Sequence, residues 1–350
     1  MRQITLTSLA DLNHLGFDEV IDVRSPAEFA EDHVPGAVNL PVLDDAERAQ
    51  VGTVYTRESR FRARRMGAAL VARNAALHLE GYLSDKPGSY RPLVYCWRGG
   101  QRSGSFALIL GQIGWQVGVI AGGWRSYRRL VVGALYDSPF PAPVFVLDGN
   151  TGTAKTAILQ EVAARGGQVI DLEGLARHRG SLFGLVAGEV QPGQKGFESA
   201  LAMAMARLDP ARPVLVEAES NRIGALRLPP ALWQAMSAAP RLIIDAPLEA
   251  RARWLAGAYA DLTQDRALLS ARINALAPYH ARTRLADWRA LAAAGEFELL
   301  ACELMAHHYD PRYTRARRRW ENGKGAVLRA ETLDGAARGH LAEEILARMG

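Results

Sequence analysis

At 350 residues the chain exceeds one ordinary domain and has room for about two. Hydrophobic residues at 49% and charged residues at 23% exclude a wholly disordered or fibrous chain, and no run approaches the roughly 20 apolar residues of a membrane span. The net charge of +5 is concentrated: Arg312, Arg315, Arg317, Arg318, Arg319 and Lys324 stand against the single acid Glu321, an excess equal to that of the whole chain.

The N-terminus, M-R-Q-I-T-L-T-S-L-A-D, lacks the apolar stretch of a secretory signal. Two cysteines, Cys96 and Cys302, exclude a disulfide framework and fit a reducing cytoplasm. Buried strands are expected at Glu19 to Val23, Leu93 to Tyr95 and Gly114 to Ile120, with an apolar helix from Ser103 to Ile113. A second basic cluster, Arg57, Arg60, Arg62, Arg64 and Arg65 against Glu58, fits either a solvated helix face or a polyanion contact. Three prolines between Asp137 and Pro143 rule out a continuous helix or central strand and mark a linker. A strand at Val144 to Asp148 then leads through a Gly-rich turn into a helix from Lys155 to Arg165. Further strands are expected at Gln168 to Leu172, Pro213 to Glu217 and Arg241 to Asp245. Alanine-rich helices such as Glu249 to Ala260 and Leu285 to Ala294 follow. The expectation is two α/β domains, 1–138 and 139–350, the second with a helical C-terminal portion and a basic segment.

Leu93-Val94-Tyr95 delivers Cys96 to the end of a strand, and Trp97-Arg98-Gly99-Gly100-Gln101-Arg102-Ser103 leads into a helix. Inward amides and a helix N-terminus make an anion nest there. Arg98 and Arg102 add positive charge, and Gly99 and Gly100 allow the tight backbone. The surroundings favour the thiolate and make Cys96 a nucleophile rather than a structural cysteine. A cysteine-loop phosphatase uses a similar nest, and the loop alone does not separate the two. The loop resembles that of rhodanese-like sulfurtransferases. Asp22-Val23-Arg24, Glu28-Phe29 and His33-Val34-Pro35-Gly36-Ala37 resemble that family's first signature, and Gly122-Gly123-Trp124 its last. These flanking motifs favour rhodanese, with Asp22, Arg24 and His33 as structural residues.

Gly149-Asn150-Thr151-Gly152-Thr153-Ala154-Lys155-Thr156 follows a buried strand and opens a helix, the context of a phosphate loop. Its amides would cradle phosphate, Lys155 neutralise it and Thr156 ligate Mg²⁺. Ala154 replaces the usual glycine before the lysine, which counts against ordinary ATP binding and less against diphosphate. Glu217 and Glu219 end a strand where a metal-organising or base carboxylate sits, or where acids favour a helix N-terminus. No Cys/His set has metal-ligand spacing, so no structural metal and no prosthetic group is expected, and Cys302 reads as a core residue.

Together the two modules resemble the tRNA 2-selenouridine synthase family over nearly the whole chain. The blocks are Cys96 to Ser103; Asp171 to Ala176 with His178-Arg179-Gly180-Ser181 and Phe183-Gly184; Gln191-Pro192, Gln194-Lys195 and Phe197-Glu198; Glu217, Glu219-Ser220 and Ile223-Gly224; and His308-Tyr309-Asp310-Pro311 with Tyr313. The resemblance implies two reactions on a wobble 2-thiouridine of tRNA. The thio sulfur attacks geranyl diphosphate, giving S-geranyl-2-thiouridine; selenium from selenophosphate then replaces the geranylated sulfur. It implies that Cys96 accepts or positions selenium while Arg98, Gly99, Gly100, Gln101, Arg102 and Ser103 hold selenophosphate, and that Gly149 to Thr156 hold diphosphate. His178, Arg179 and Ser181 would face the diphosphate or the base, or cap a helix. Arg312 to Arg319 and Arg57 to Arg65 would contact tRNA phosphates, while Tyr313 and Trp320 read as packing residues rather than base stackers. The competing readings are a general rhodanese-type sulfurtransferase with an ATP-dependent P-loop domain, and a module that only binds RNA ends.

Overall fold

Parallel strands covered on both faces are written as apolar runs, and each half of the chain centres on one such run. The structure, a computed structural model, describes residues 1–179, 190–317 and 325–350. Two compact units emerge, one of Met1–Pro139 with Gly193–Arg207, the other of Phe140–Pro192 with Leu208–Gly350.

The first unit holds β1 (Arg2–Ile4), β2 (Glu19–Asp22), β3 (Val38–Asn39), β4 (Pro92–Tyr95) and β5 (Gly118–Ile120) in a five-stranded sheet of order β1-β5-β4-β2-β3. Every pairing is parallel, and all four residues of the central β4 are buried. β5 begins four residues later than the apolar run suggests, because Gly114 takes φ +106° and Val117 bonds back to the Trp115 carbonyl at 3.1 Å. The Arg57 to Arg65 cluster lies on two helices that its charge conceals, Asp45–Arg57 and Arg60–Glu80. A capping box of Asp44 and Glu47 starts the first, and the Ser59 hydroxyl accepts from the Arg62 amide to start the second.

The helix Gln194–Met205, expected in the second domain, clusters with the first unit. Lys195 pairs with Glu31 at 2.5 Å, and the buried Glu198 bonds Arg128 and the Tyr136 hydroxyl.

The second unit adds β6 (Val144–Gly149), β7 (Gln168–Ile170), β8 (Val214–Glu217), the hairpin β9 (Arg222–Ile223) and β10 (Leu226–Arg227), β11 (Arg241–Asp245) and β12 (Gly325–Arg329). Its main sheet is parallel, in the order β12-β11-β6-β8-β7, with β6 at the centre. β7 stops at Ile170 because Asp171 turns to cap the helix Leu172–Ala176, accepting from the Gly174 amide at 2.7 Å. β12 is an edge strand inside what reads from sequence as a helical tail. The Gln191 side chain ties the β9–β10 turn, donating to the Ile223 carbonyl and accepting from the Ala225 amide, both at 2.9 Å. A separate helical core gathers around the buried Trp288. No described helix is long and apolar enough to cross a membrane.

Candidate functional site

Ligands of open parallel sheets bind at the carboxyl ends of the strands. Both central strands here end in a loop with anion-binding features. Cys96 leaves β4 at 3% exposure, and the Ser103 hydroxyl, from the first turn of the helix Gln101–Gln112, donates to its Sγ at 3.1 Å. Gly99 takes φ +65°; a Cβ there would stand 2.7 Å from the Ile120 carbonyl oxygen. Gly123 faces the loop from the other side, where a Cβ would meet the Cys96 carbonyl oxygen at 2.2 Å. Backbone bonds from Trp124 to the Cys96 carbonyl (2.8 Å) and from Arg125 to the Trp97 carbonyl (3.2 Å) close that contact. Trp97 stacks on Trp124 at 4.5 Å. Thus Gly122-Gly123-Trp124 acts as a backbone brace for the cysteine loop.

Of the two arginines, Arg98 is exposed. Arg102 is bound bidentately to the buried Glu28 at 2.7 and 3.3 Å, and Arg48 pairs with the same carboxylate at 2.9 Å. Burial raises the Glu28 carboxyl, but Arg102 and Arg48 outweigh it and hold the group below its ordinary value. Among the described residues no ion pair holds Arg98, whereas Arg102, tied to Glu28, fixes the rim of the loop. Gln101 is exposed and Ser103 fully buried. Asp22 and Arg24 form a buried pair at 2.6 Å, with the guanidinium between the rings of Tyr95 and Trp124. Arg24 also donates to the Asp32 carbonyl, and His33 bonds the Phe29 carbonyl at 2.8 Å. These contacts brace the fold beside the loop.

In the second unit Gly149 ends β6 with no room for a side chain, since a Cβ would lie 2.4 Å from Thr153 Oγ1. The Thr153 hydroxyl donates to the Asn150 carbonyl at 2.8 Å, and Gly152 takes φ +84°. Ala154 holds φ +57°, ψ +28°, the left-handed geometry a glycine would supply at the start of the helix Lys155–Ala164. The loop thus keeps its backbone and carries strain of about 1 kcal/mol. Ala154→Gly is accordingly expected to raise folding stability by about 0.5 kcal/mol in urea denaturation, the relieved strain less glycine's greater freedom in the unfolded chain. A relaxed alanine would give a loss instead, through glycine's greater freedom in the unfolded chain.

Lys155 Nζ donates to the Gly149 carbonyl at 3.2 Å and lies 5.8 Å from the Tyr313 ring centre. Burial disfavours its charge, but Tyr313, Glu173, Glu219 and Asp148 outweigh this and raise it above the ordinary lysine value. The Thr156 hydroxyl reaches Glu173 and Glu217, each at 3.1 Å. Burial and the neighbouring Glu173 and Asp171 push Glu217 well up; burial and Glu173 push Glu219 up to about 8. Two carboxylates and a hydroxyl are a donor set that suits a hard divalent cation sharing phosphate oxygens. Among the described residues no cluster of three or more His, Cys, Asp or Glu forms a metal cage.

Loop residues 151–156 line a pocket of about 190 Å³ whose other wall includes Trp254, Leu255, Ala258, Tyr259 and Tyr313. Arg179 lines it as well, its guanidinium 4.6 Å from the Tyr259 ring centre. His178 is half-buried outside this lining, its amide bonded to the Glu173 carbonyl. Ser181, Arg318 and Arg319 lie outside the described residues, as does the side chain of Arg317. Arg312 stacks on Tyr279 at 4.4 Å, and Arg315 is exposed. Cys302 is half-buried on the helix Phe297–Leu304 rather than in the core.

Sequence reading misses Arg251. This 6% exposed side chain bonds the Thr151 carbonyl at 3.0 Å and grips Asp310 at 3.0 and 2.8 Å. It links the phosphate loop to the His308-Tyr309-Asp310 block, which leaves a π-helical turn at Met305–Tyr309.

In that turn His308 is 4% exposed, and its Nδ1 lies 2.9 Å from His280 Nε2. Burial, then Arg312 and His280, pushes it down to about 4. Between pH 6.5 and 4 the unfolded chain therefore binds a proton that the native His308 refuses, and stability falls as pH falls through this window. His308→Asn is expected to flatten that part of the profile in urea titrations at pH 5 and 7.5.

A parallel α/β unit ending in a braced cysteine loop, followed by one ending in a phosphate loop, defines a rhodanese-like domain joined to a P-loop domain. Two family models match accordingly: the rhodanese-like domain over residues 5–130 and the tRNA 2-selenouridine synthase AAA domain over residues 142–287. Curated relatives named tRNA 2-selenouridine synthase include those of Aeromonas salmonicida (strain A449), 38% identical over 72% of this chain and 67% of the relative, and Psychromonas ingrahamii, 35% identical over 71% and 66%. A rhodanese-related protein of Thermoplasma volcanium, solved by crystallography, is 19% identical, with a TM-score of 0.24 over 37% of this chain and 92% of that one. The chain spans about two thirds of the length of the curated relatives it matches. It belongs to the tRNA 2-selenouridine synthase family.

Proposed function

We propose that this protein modifies the wobble uridine of tRNA, converting 2-thiouridine to 2-selenouridine through an S-geranyl intermediate. The observation that carries the reading is the composition of the phosphate-loop pocket. Lys155 and the loop amides form one side, and the indole, phenol and aliphatic groups of Trp254, Tyr259 and Leu255 form the other. That combination suits an allylic diphosphate, anionic at one end and hydrocarbon at the other.

In the first step the thiocarbonyl sulfur forms a bond to C1 of geranyl diphosphate. The C1–O bond breaks, its electron pair leaves with diphosphate, and the base loses its N3 proton. Lys155, Arg179 and the amides of the helix N-terminus stabilise the departing charge. Thr156, Glu173 and Glu217 are the groups to hold Mg²⁺, which would neutralise diphosphate further. In the second step the selenium of selenophosphate bonds to C2, the geranyl sulfur departs as a thiol, and water cleaves the Se–P bond to release phosphate. Cys96, polarised by Ser103, positions the selenium at C2, while Arg98 and the loop amides hold the phosphoryl oxygens. The exposed arginines between Arg57 and Arg65, with Arg312 and Arg315, contact tRNA phosphates.

Mass spectrometry of nucleosides tests this reading. Wild-type protein with 2-thiouridine tRNA and geranyl diphosphate should yield S-geranyl-2-thiouridine, and adding selenophosphate should yield 2-selenouridine. Thiosulfate or ATP turnover without any mass shift at the wobble base would replace it with the sulfurtransferase reading.

A further inference from the structure

Beside the phosphate-loop pocket lies a second, smaller cavity of about 80 Å³ lined almost wholly by carbon. Both spaces are bounded by Thr151, Leu255 and Tyr259. The floor of the second belongs to the helical core, with Leu269, Phe297, Leu300 and Leu304. Apolar walls that face open space instead of packed atoms forfeit contacts they would otherwise make. The cavity adjoins the phosphate-loop pocket, whose wall of loop residues 151–156, Lys155 among them, suits an anion.

We infer that this cavity receives the end of the hydrocarbon chain of the diphosphate substrate and sets its permitted length; the inference rests on the allylic-diphosphate reading above. With the diphosphate at Lys155, the first isoprene unit runs along Leu255 and Tyr259, which border both spaces. The chain end then enters between Leu262 and Leu304. At about 80 Å³ the cavity is roughly half the size of one that admits a benzene ring. It therefore fits a branched chain end and leaves no room for a further isoprene unit. A five-carbon chain ends before the cavity, a ten-carbon chain fills it, and a fifteen-carbon chain is stopped by Phe297 and Leu300. Ala301 on the lining and Phe297 at the floor are the positions that set this gauge.

Calorimetric titration with unreactive thiolodiphosphates of dimethylallyl, geranyl and farnesyl alcohols, beside inorganic diphosphate, tests it on the full chain. Wild type should bind the geranyl compound about 50-fold more tightly than the dimethylallyl one, the worth of roughly three buried methylenes. Ala301→Phe, which fills the cavity, should bring that ratio close to one. Phe297→Ala, which deepens it, should tighten farnesyl binding about tenfold; a gain of this kind cannot come from misfolding. A wild-type geranyl preference that survives both substitutions, with no gain for farnesyl in Phe297→Ala, overturns the cavity assignment and leaves the function standing. If no prenyl compound binds wild type more tightly than inorganic diphosphate, the allylic-diphosphate reading itself falls, and the gauge with it.

Discussion

Lys155→Ala is expected to slow formation of S-geranyl-2-thiouridine by about 10²- to 10³-fold, the usual loss when one preorganised group facing a developing charge is removed. The barrier in this step is the charge gathering on diphosphate as the C1–O bond opens. Lys155 sits at the first helical position after the left-handed Ala154, so its side chain and the helix amides converge on one point. Its ammonium rests on the Gly149 carbonyl and faces Glu173 and Glu219. These neighbours favour its charged form beside the loop amides. Single-turnover nucleoside analysis at saturating geranyl diphosphate measures the loss. The same variant given tRNA already carrying S-geranyl-2-thiouridine should still incorporate selenium at near the wild-type rate, because that step uses the other loop. Equal loss in both steps would mean that Lys155 supports the whole fold rather than the departing diphosphate.

What could be read in advance follows from the range of the interactions. β4 and β6 are visible because strands buried on both faces must be apolar along their whole length. The loops after them are visible because glycine, lysine and cysteine have to follow within a few residues. The helices Asp45–Arg57 and Arg60–Glu80 are hidden by their arginines, which keep most of their surface in water and blur the apolar stripe. The pairings that hold the loops lie beyond local pattern: Arg102 meets Glu28 from 74 residues away, and Arg251 meets Asp310 from 59. The first reassigns a cation from substrate to scaffold. The second explains why a late block, His308 to Asp310, belongs to a site encoded 150 residues earlier. The helix Gln194–Met205 shows the same limit. Its sequence says helix, but the contacts of Glu198 with Arg128 and Tyr136 and of Lys195 with Glu31 say which unit it joins. Ala154 is the opposite case: the sequence shows the departure from glycine, and the structure shows that tertiary packing imposes the glycine-like geometry nonetheless.

Cys96→Ala is expected to reduce 2-selenouridine formation by about 10³-fold or more while leaving S-geranylation intact, so that geranylated tRNA accumulates. The size follows from the position of the sulfur. Cys96 places a thiol at the base of its loop, and at 3% exposure it is shielded from bulk water. The loop around it is built against deformation by the Gly99 and Gly123 contacts and the Trp97–Trp124 stack, so removing Sγ should leave the nest itself standing. Ser103→Ala gives the graded control. It removes the Ser103 hydrogen bond to Sγ at 3.1 Å and should cost about tenfold in the same step, the value of one such bond. Following both nucleosides over time in one reaction separates the outcomes. Geranylated tRNA that builds up with Cys96→Ala and drains slowly with Ser103→Ala assigns selenium transfer to this loop. If both variants make 2-selenouridine at the wild-type rate, the selenium step does not pass through Cys96, and the braced rhodanese loop serves only to bind.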